Sequence, residues 1–421
     1  MKKLCLLLCL LLCLTGCGGA KKESAAADIP AAPAATEVPV TPAPTAVPTP
    51  VPVPVTAAPT SFSVSFSAQP TVTPVYTPTP SPVPEITLGG KTVYADAEEV
   101  ELSSVSEIDQ LGSFPLLKTV DCSAFTLDPD TAYQIKQGHP GVDFIFTLEA
   151  FGTTITKDTE LLDLKGMKLG TLSQVEETVI CMPTLKKVDM CGCGFSNEEM
   201  GGLFDRYPNV RFVWELNLKG RKLRTDAVGF STLNPGKYVN DKSPESYRRA
   251  VKEANPKRLY TKDIQVLRYC PDLVALDLGH NYIDDLSVLE HLPKLQILIV
   301  ADNKLTDISV FAKLPNLVYV EFFMNSVTDI SPLADHEFLL DLNFCNNKVT
   351  DLSPVLSMPN LERVWCAGNK FSRAEGKEIQ EQIPDCIVDY TAKDDTADGW
   401  REHERYEWMR SYVKGEHNPE S

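Results

Sequence analysis

Positive charge is in short supply along this chain. Its 421 residues carry 40 lysines and arginines against 57 aspartates and glutamates, a formal net charge of -17 at pH 7. Such a balance repels phosphate backbones and offers no counterion release, so nucleic acid is excluded as an expected partner. The acidic surface reads instead as keeping a secreted protein soluble. Long hydrophobic runs are scarce too. The apolar stretch Leu4 to Leu14 is too short for a permanent membrane-spanning helix. Catalytic signatures are missing: there is no H-E-x-x-H, no G-x-S-x-G and no EF-hand loop. Gly90-Lys91-Thr92 has the ending of a phosphate loop, but Glu85 stands where the loop requires glycine. Ser411-Tyr412-Val413-Lys414 fits S-x-x-K without any companion motif. His280, His291 and His336 occupy unrelated positions and read as surface residues. No enzyme, cofactor or metal is expected.

The chain opens as a signal peptide, Lys2-Lys3 and then the apolar run. The run ends in Leu14-Thr15-Gly16-Cys17, which resembles a bacterial lipobox. The resemblance implies cleavage before Cys17 and lipidation of its sulfur, hence an extracytoplasmic protein anchored to the membrane; several acyl chains suffice for stable anchoring. Residues 1–16 are therefore leader and 17–85 a stalk. Sixteen of the chain's 32 prolines fall between Gly18 and Glu85, mixed with Thr, Ala, Ser and Val. Such a composition packs no core and favours extended polyproline II, reaching on the order of 200 Å at about 3.1 Å per residue.

Twelve cysteines invite a disulfide reading, but Cys5, Cys9 and Cys13 lie in the leader and Cys17 is the anchor. The other eight are scattered over a long domain, unlike the dense framework of a small secreted module. Most fall at core positions of a repeat, where cysteine acts as a small hydrophobe.

From Leu273 the repeat has a period of 22. Leu273, Leu295, Leu317, Leu339 and Leu361 keep this step, as do Asn281, Asn303, Asn325, Asn347 and Asn369. Asp285, Asp307, Asp329 and Asp351 follow it, and so do Ser287, Ser309, Ser331 and Ser353. Pairs such as Leu276/Leu278 and Val320/Phe322 complete an L-x-x-L-x-L-x-x-N-x-L frame. In that frame the leucines face inward from short strands that stack into a parallel sheet. The asparagine amides form a structural ladder, each able to donate and accept for turn groups left unpaired. Ser331 reads as the cap of the returning segment and Pro332 as its first helical position.

This stretch resembles the 22-residue repeats of internalins and of Sds22-like proteins, with Leu317 to Leu333 and Leu339 to Val355 matching almost throughout. The resemblance covers about residues 251 to 371. It implies an α/β repeat solenoid with a parallel sheet on its concave face. The lipobox anchor departs from internalins, so host-cell adhesion is not implied.

Upstream the repeats continue in degraded form. Leu117-Lys118-Thr119-Val120-Asp121 recurs as Leu185-Lys186-Lys187-Val188-Asp189, and Leu361 aligns with Leu185 eight periods away. Ser196-x-x-Glu199 and Ser372-x-x-Glu375 are capping boxes that predict helices, and Asp128-Pro129 holds the equivalent place in the first unit. A further element begins at Gly90, Gly152 and Gly220. Cys193 falls where asparagine sits elsewhere, so Cys191 and Cys193 read as structural rather than as a zinc pair. The domain reading is irregular, helix-bearing repeats over 86–248, regular repeats with a helical cap over 249–390, and a helical tail over 391–421.

The outward strand positions carry Ile297, Ile299, Tyr319, Glu321, Asp341, Asn343, Arg363 and Trp365, with Phe323 and Met324 beside them. These are expected to form an exposed apolar patch rimmed by charge, the partner-binding surface. The tail places Trp400, Trp408, Met409, Tyr412 and Val413 near one helical face, expected to cap the last repeat. Its alternatives are the concave surface or another protein. The functional expectation is a surface lipoprotein that binds a protein or other envelope macromolecule without catalysis. The alternatives are a structural envelope protein without a discrete ligand, or an unrecognised enzyme in residues 86–248.

Overall fold

The computed structural model describes residues 82–233, 255–392, 395–396 and 399–419, all within the compact unit Val75–Ser421. Cys17, the leader and nearly all of the proline-rich segment lie outside the described residues.

Strands β1 (Glu85–Leu88) and β2 (Lys91–Tyr94) form an antiparallel hairpin. Next come β3 (Glu99–Glu101), β4 (Thr119–Leu127) and β5 (Asp143–Ala150), a parallel set with β6 (Thr153–Ile155) antiparallel on β5. A three-stranded parallel sheet follows, β7 (Leu161–Asp163), β8 (Lys187–Asp189) and β9 (Arg211–Val213). Hairpin β10 (Glu215–Leu218) and β11 (Arg221–Arg224) closes this half. The element that recurs three times in the sequence is thus a β-hairpin each time. Its turns, Gly89-Gly90, Phe151-Gly152 and Lys219-Gly220, place both central residues at positive φ. That is the geometry a two-residue hairpin needs to match strand twist.

The irregular repeats return through true helices. In α1 (Pro129–Gly138), Asp128 accepts from the Thr131 amide, and α2 (Ser173–Cys181) carries no side-chain cap. In α3 (Asn197–Arg206) the Ser196/Glu199 capping box is closed in both directions. Cys193 donates its thiol to the Leu164 carbonyl at 3.0 Å, the job that asparagine does further on.

The second half is one seven-stranded parallel sheet: β12 (Gly229–Ser231), β13 (Ala275–Asp277), β14 (Ile297–Ile299), β15 (Tyr319–Glu321), β16 (Asp341–Asn343), β17 (Arg363–Trp365) and β18 (Ile387–Asp389). The chain is a leucine-rich-repeat solenoid with this sheet on its concave face. After the single turn α4 (Thr261–Ile264), the regular repeats return through short 3-10 turns. A longer helix, α5 (Arg373–Gln382), packs against the last strand behind a second closed capping box, Ser372/Glu375. Inward-facing Leu276, Leu298, Val320, Leu342 and Val364 are fully buried, each side chain contributing about 1.5–3 kcal/mol by leaving water.

Each asparagine of the ladder bridges two repeats. The Asn325 amide donates to Phe322 O at 2.9 Å in its own coil and to Val300 O at 3.0 Å in the preceding one, while its carbonyl accepts from Leu305 N at 3.0 Å. Asn303, Asn347 and Asn369 repeat this pattern. Asn281 accepts from Leu259 N and donates to Leu278 O.

Two local expectations need correction. The return turns are capped by aspartate, not serine: Asp329 accepts from the Ser331 amide at 2.8 Å and also from its hydroxyl, and Asp285, Asp307 and Asp351 do the same. A carboxylate two residues ahead reaches that amide, whereas Ser331 already lies inside the turn. Of His280, His291 and His336 only His291 is exposed. His280 is buried against the Asp302 carboxylate at 2.9 Å, and His336 sits 3.1 Å from the Phe311 carbonyl. Burial would raise the Asp302 pKa, but the hydrogen bond and charge of His280 outweigh it and hold it below the usual carboxylate range. The eight described cysteines are buried free thiols.

Candidate functional site

The regular sheet presents two outward rows, and parallel pairing keeps them straight. Ala275, Ile297, Tyr319, Asp341 and Arg363 align across β13 to β17, and so do Asp277, Ile299, Glu321, Asn343 and Trp365. Beyond them His280, Asp302, Met324 and Asn346 all adopt positive φ, with Gly368 in the next turn. The structure brings every expected concave residue together. It does not leave them exposed.

The rows are covered by the chain's own C-terminal segment, which includes helix α6 (Glu404–Val413). Ile297, Ile299, Tyr319, Phe323 and Trp365 are buried and Met324 is half-buried, in a second hydrophobic cluster with Trp400, Tyr406, Met409 and Val413. This corrects two expectations at once: the patch is not solvent-facing, and the tail does not simply cap the last repeat. The helix packs against β12 and β13, the opposite end of the sheet, while the last strand is already covered by α5. Trp408 and Tyr412 pack at the edge of this cluster. Tyr406 and Arg405, which helical periodicity alone did not single out, make central contacts.

Trp400 is the anchor. Fully buried, it lies between Tyr319 and Trp365, with ring centroids 5.6 and 5.1 Å away. Its indole donates to Glu321 Oε1 at 2.6 Å, and Tyr319 donates its hydroxyl to the same carboxylate. The Arg363 guanidinium stacks 4.6 Å over the Trp400 ring and donates to its carbonyl at 3.2 Å. Asp341, fully buried, accepts from Arg363 Nε at 2.5 Å and from Arg405 Nε and Nη2 at 2.6 and 3.0 Å. Asn343 donates to the Asp395 carbonyl at 2.7 Å.

At the far end, Asn418 clasps the first strand. Its carbonyl oxygen accepts from Val228 N and Gly229 N at 2.9 and 2.8 Å, and its amide donates to Gly229 O at 3.0 Å. Gly229 permits this approach because a Cβ there would lie 1.8 Å from the Tyr412 carbonyl oxygen.

Burial raises the Glu321 pKa against the pull of Tyr319, Trp400 and Arg401, and it raises that of Tyr319 as well. Burial lowers the pKa of His403, the N-cap of α6, reinforced by Arg363 and Arg405.

A second polar cluster lies on the preceding sheet. Arg224 pairs with Asp189 at 2.8 Å and Asp226 at 2.9 Å, and Lys187 reaches Asp226 at 2.7 Å. Burial works against both carboxylates, but Arg224 keeps them below the usual range. Every charge there is matched, so the cluster ties hairpin β10–β11 to the sheet. Among the described residues no group of three or more His, Cys, Asp or Glu is placed to hold a metal ion, and no helix is long and apolar enough to cross a membrane.

The class defined by this architecture is the leucine-rich-repeat solenoid. A family model described as Leucine Rich repeats (2 copies) matches residues 293–335. Among solved structures the chain is similar to an internalin C2 of Listeria monocytogenes str. 4b F2365, at 20% identity and a TM-score of 0.26, over 58% of this chain and 83% of that one. It is also similar to another internalin of the same strain, at 15% identity and a TM-score of 0.27, over 70% and 82% of the two chains. No curated protein matches the chain.

Proposed function

We propose that this chain is a bacterial surface lipoprotein, anchored to the membrane by Cys17, that binds a protein or other envelope macromolecule through the concave face of its 22-residue leucine-rich repeats. One observation carries the reading: that face already holds a polypeptide, its own. Ile297, Ile299, Tyr319, Phe323, Met324 and Trp365 supply apolar area, while Glu321, Asp341, Asn343 and Arg363 supply directional polar contacts. Aromatic anchors with buried polar partners are the usual composition of an interface centre. The binding is read as non-catalytic, and the net negative charge disfavours nucleic acid. The proline-rich segment 17–85 serves as a spacer between anchor and repeats.

The test is capture from envelope extracts by the full chain and two double variants. Trp400→Ala with Arg405→Ala loosens the tail and should increase capture; Tyr319→Ala with Trp365→Ala removes the concave anchors and should abolish it. If both variants capture what the wild type does, the binding surface lies elsewhere, on the irregular repeats or at the exposed Tyr260–Tyr282 pair.

A further inference from the structure

The solenoid's interior and the tail's contacts form two separate hydrophobic clusters. The first runs from Leu88 to Val388 on the inner side of the sheets; the second lies on the outer side, beneath Trp400, Tyr406, Met409 and Val413. Removing the tail therefore leaves the solenoid core closed. It also strips cover from Ile297, Ile299, Tyr319, Phe323 and Trp365, an apolar stripe that needs an occupant.

The groove's charge says which occupant fits. Glu321 receives an indole N–H, and Asp341 receives a guanidinium through two hydrogen bonds. The exposed Glu362 takes a third nitrogen of Arg405 at 2.8 Å. Arg363, the one cation in these two rows, is paired to Asp341 and flattened on Trp400. Buried ionic contacts of this kind contribute orientation and selectivity more than adhesion, because desolvation offsets much of their attraction. Resting on the reading of the concave face as a recognition surface, we propose that the groove is specific for a segment presenting a tryptophan and, five residues later, an arginine. Residues 399–419 are its resident, exchangeable occupant, and a partner carrying the same aromatic-cationic pair displaces them.

A tethered segment acts at an effective concentration of about a millimolar, so free peptide at micromolar levels does not compete with an intact tail. The probe is a fluorescent synthetic peptide of residues 399–419, titrated against the full chain. The wild type should show no uptake at micromolar peptide. The Trp400→Ala/Arg405→Ala chain should bind at least tenfold more tightly than the wild type. Uptake should fall at least tenfold when the peptide itself carries W400A or R405A. In the wild type, amides of 404–413 should exchange hydrogen at least tenfold faster than those of β13 to β17.

A variant chain that stays folded by circular dichroism yet takes up no peptide overturns the proposal, as does one that unfolds, since the tail is then part of the folding core. Equal exchange rates overturn it as well. Peptide uptake reads the groove without any envelope partner. Uptake without partner capture therefore tells against the proposed function alone.

Discussion

Trp400 and Glu321 stand 79 residues apart in the chain, yet the indole of one donates to the buried carboxylate of the other at 2.6 Å. Tyr319 donates to the same oxygen from its own strand. This one carboxylate joins a strand of the solenoid to the tail that covers it.

The Glu321 carboxyl gives the first prediction. The groups that act on it are Tyr319, Trp400, Arg401, Tyr406 and Asp277, and burial sets its pKa above the ordinary value. In the unfolded chain it titrates near about 4.3. Between those two values the folded state binds more proton than the unfolded state, so this group's contribution to stability declines as pH rises through the window. Glu321→Gln removes the titration and should gain on the wild type from pH 4 to pH 7. Melting both proteins across that range checks this; a constant gap rejects the assignment.

Asp341 holds two guanidinium groups in a dry interface. Asp341→Ala leaves Arg363 with only the Trp400 carbonyl and Arg405 with only the exposed Glu362, and breaking a buried pair from one side costs about 3–5 kcal/mol. Denaturant titration measures the loss. A cost under about 1 kcal/mol would mean that water reaches these cations.

The Gly229 contact admits no side chain. Gly229→Ala should force Tyr412 and the Asn418 clasp away from β12 while β13 to β17 keep their register. Hydrogen exchange should quicken over 404–419 and stay unchanged in those strands; unchanged protection of the tail would contradict the packing described.

Asn325→Ala removes one rung of the ladder: Leu305 N loses its side-chain acceptor, while Val300 O and Phe322 O each keep one amide donor, from Asn303 and Asn347. The expected loss is about 1–3 kcal/mol. An unaltered melting temperature would show that water replaces the amide.

Cys17→Ala tests the anchor. The native chain should partition into detergent, and the variant should be released or mislocalised. Membrane retention of the variant equal to that of the wild type rejects lipid anchoring through this residue.

Much of this structure was legible in the residues alone because it is local or strictly periodic. L-x-L at fixed spacing demands a stacked strand, an asparagine at the turn demands unpaired backbone groups to satisfy, and Ser196 and Ser372 announce helices three residues before Glu199 and Glu375. Even the Cys193 substitution in the ladder followed from alignment. Where short-range chemistry was read too simply, as in choosing Ser331 over Asp329 for the cap, the error stayed within two residues. Helix α2, lacking a side-chain cap, gave no such announcement.

The fate of the concave face was of a different kind. Periodicity placed Tyr319, Glu321, Asp341 and Trp365 side by side, and it marked Trp400, Met409 and Val413 as one face needing burial. It could not join the two sets, because a helix face specifies that it must be covered and not by what. That choice depends on contacts as distant as Trp400 with Glu321, Arg405 with Asp341 and Asn418 with Gly229, which exist only once the solenoid has brought its strands into register and the tail has crossed them.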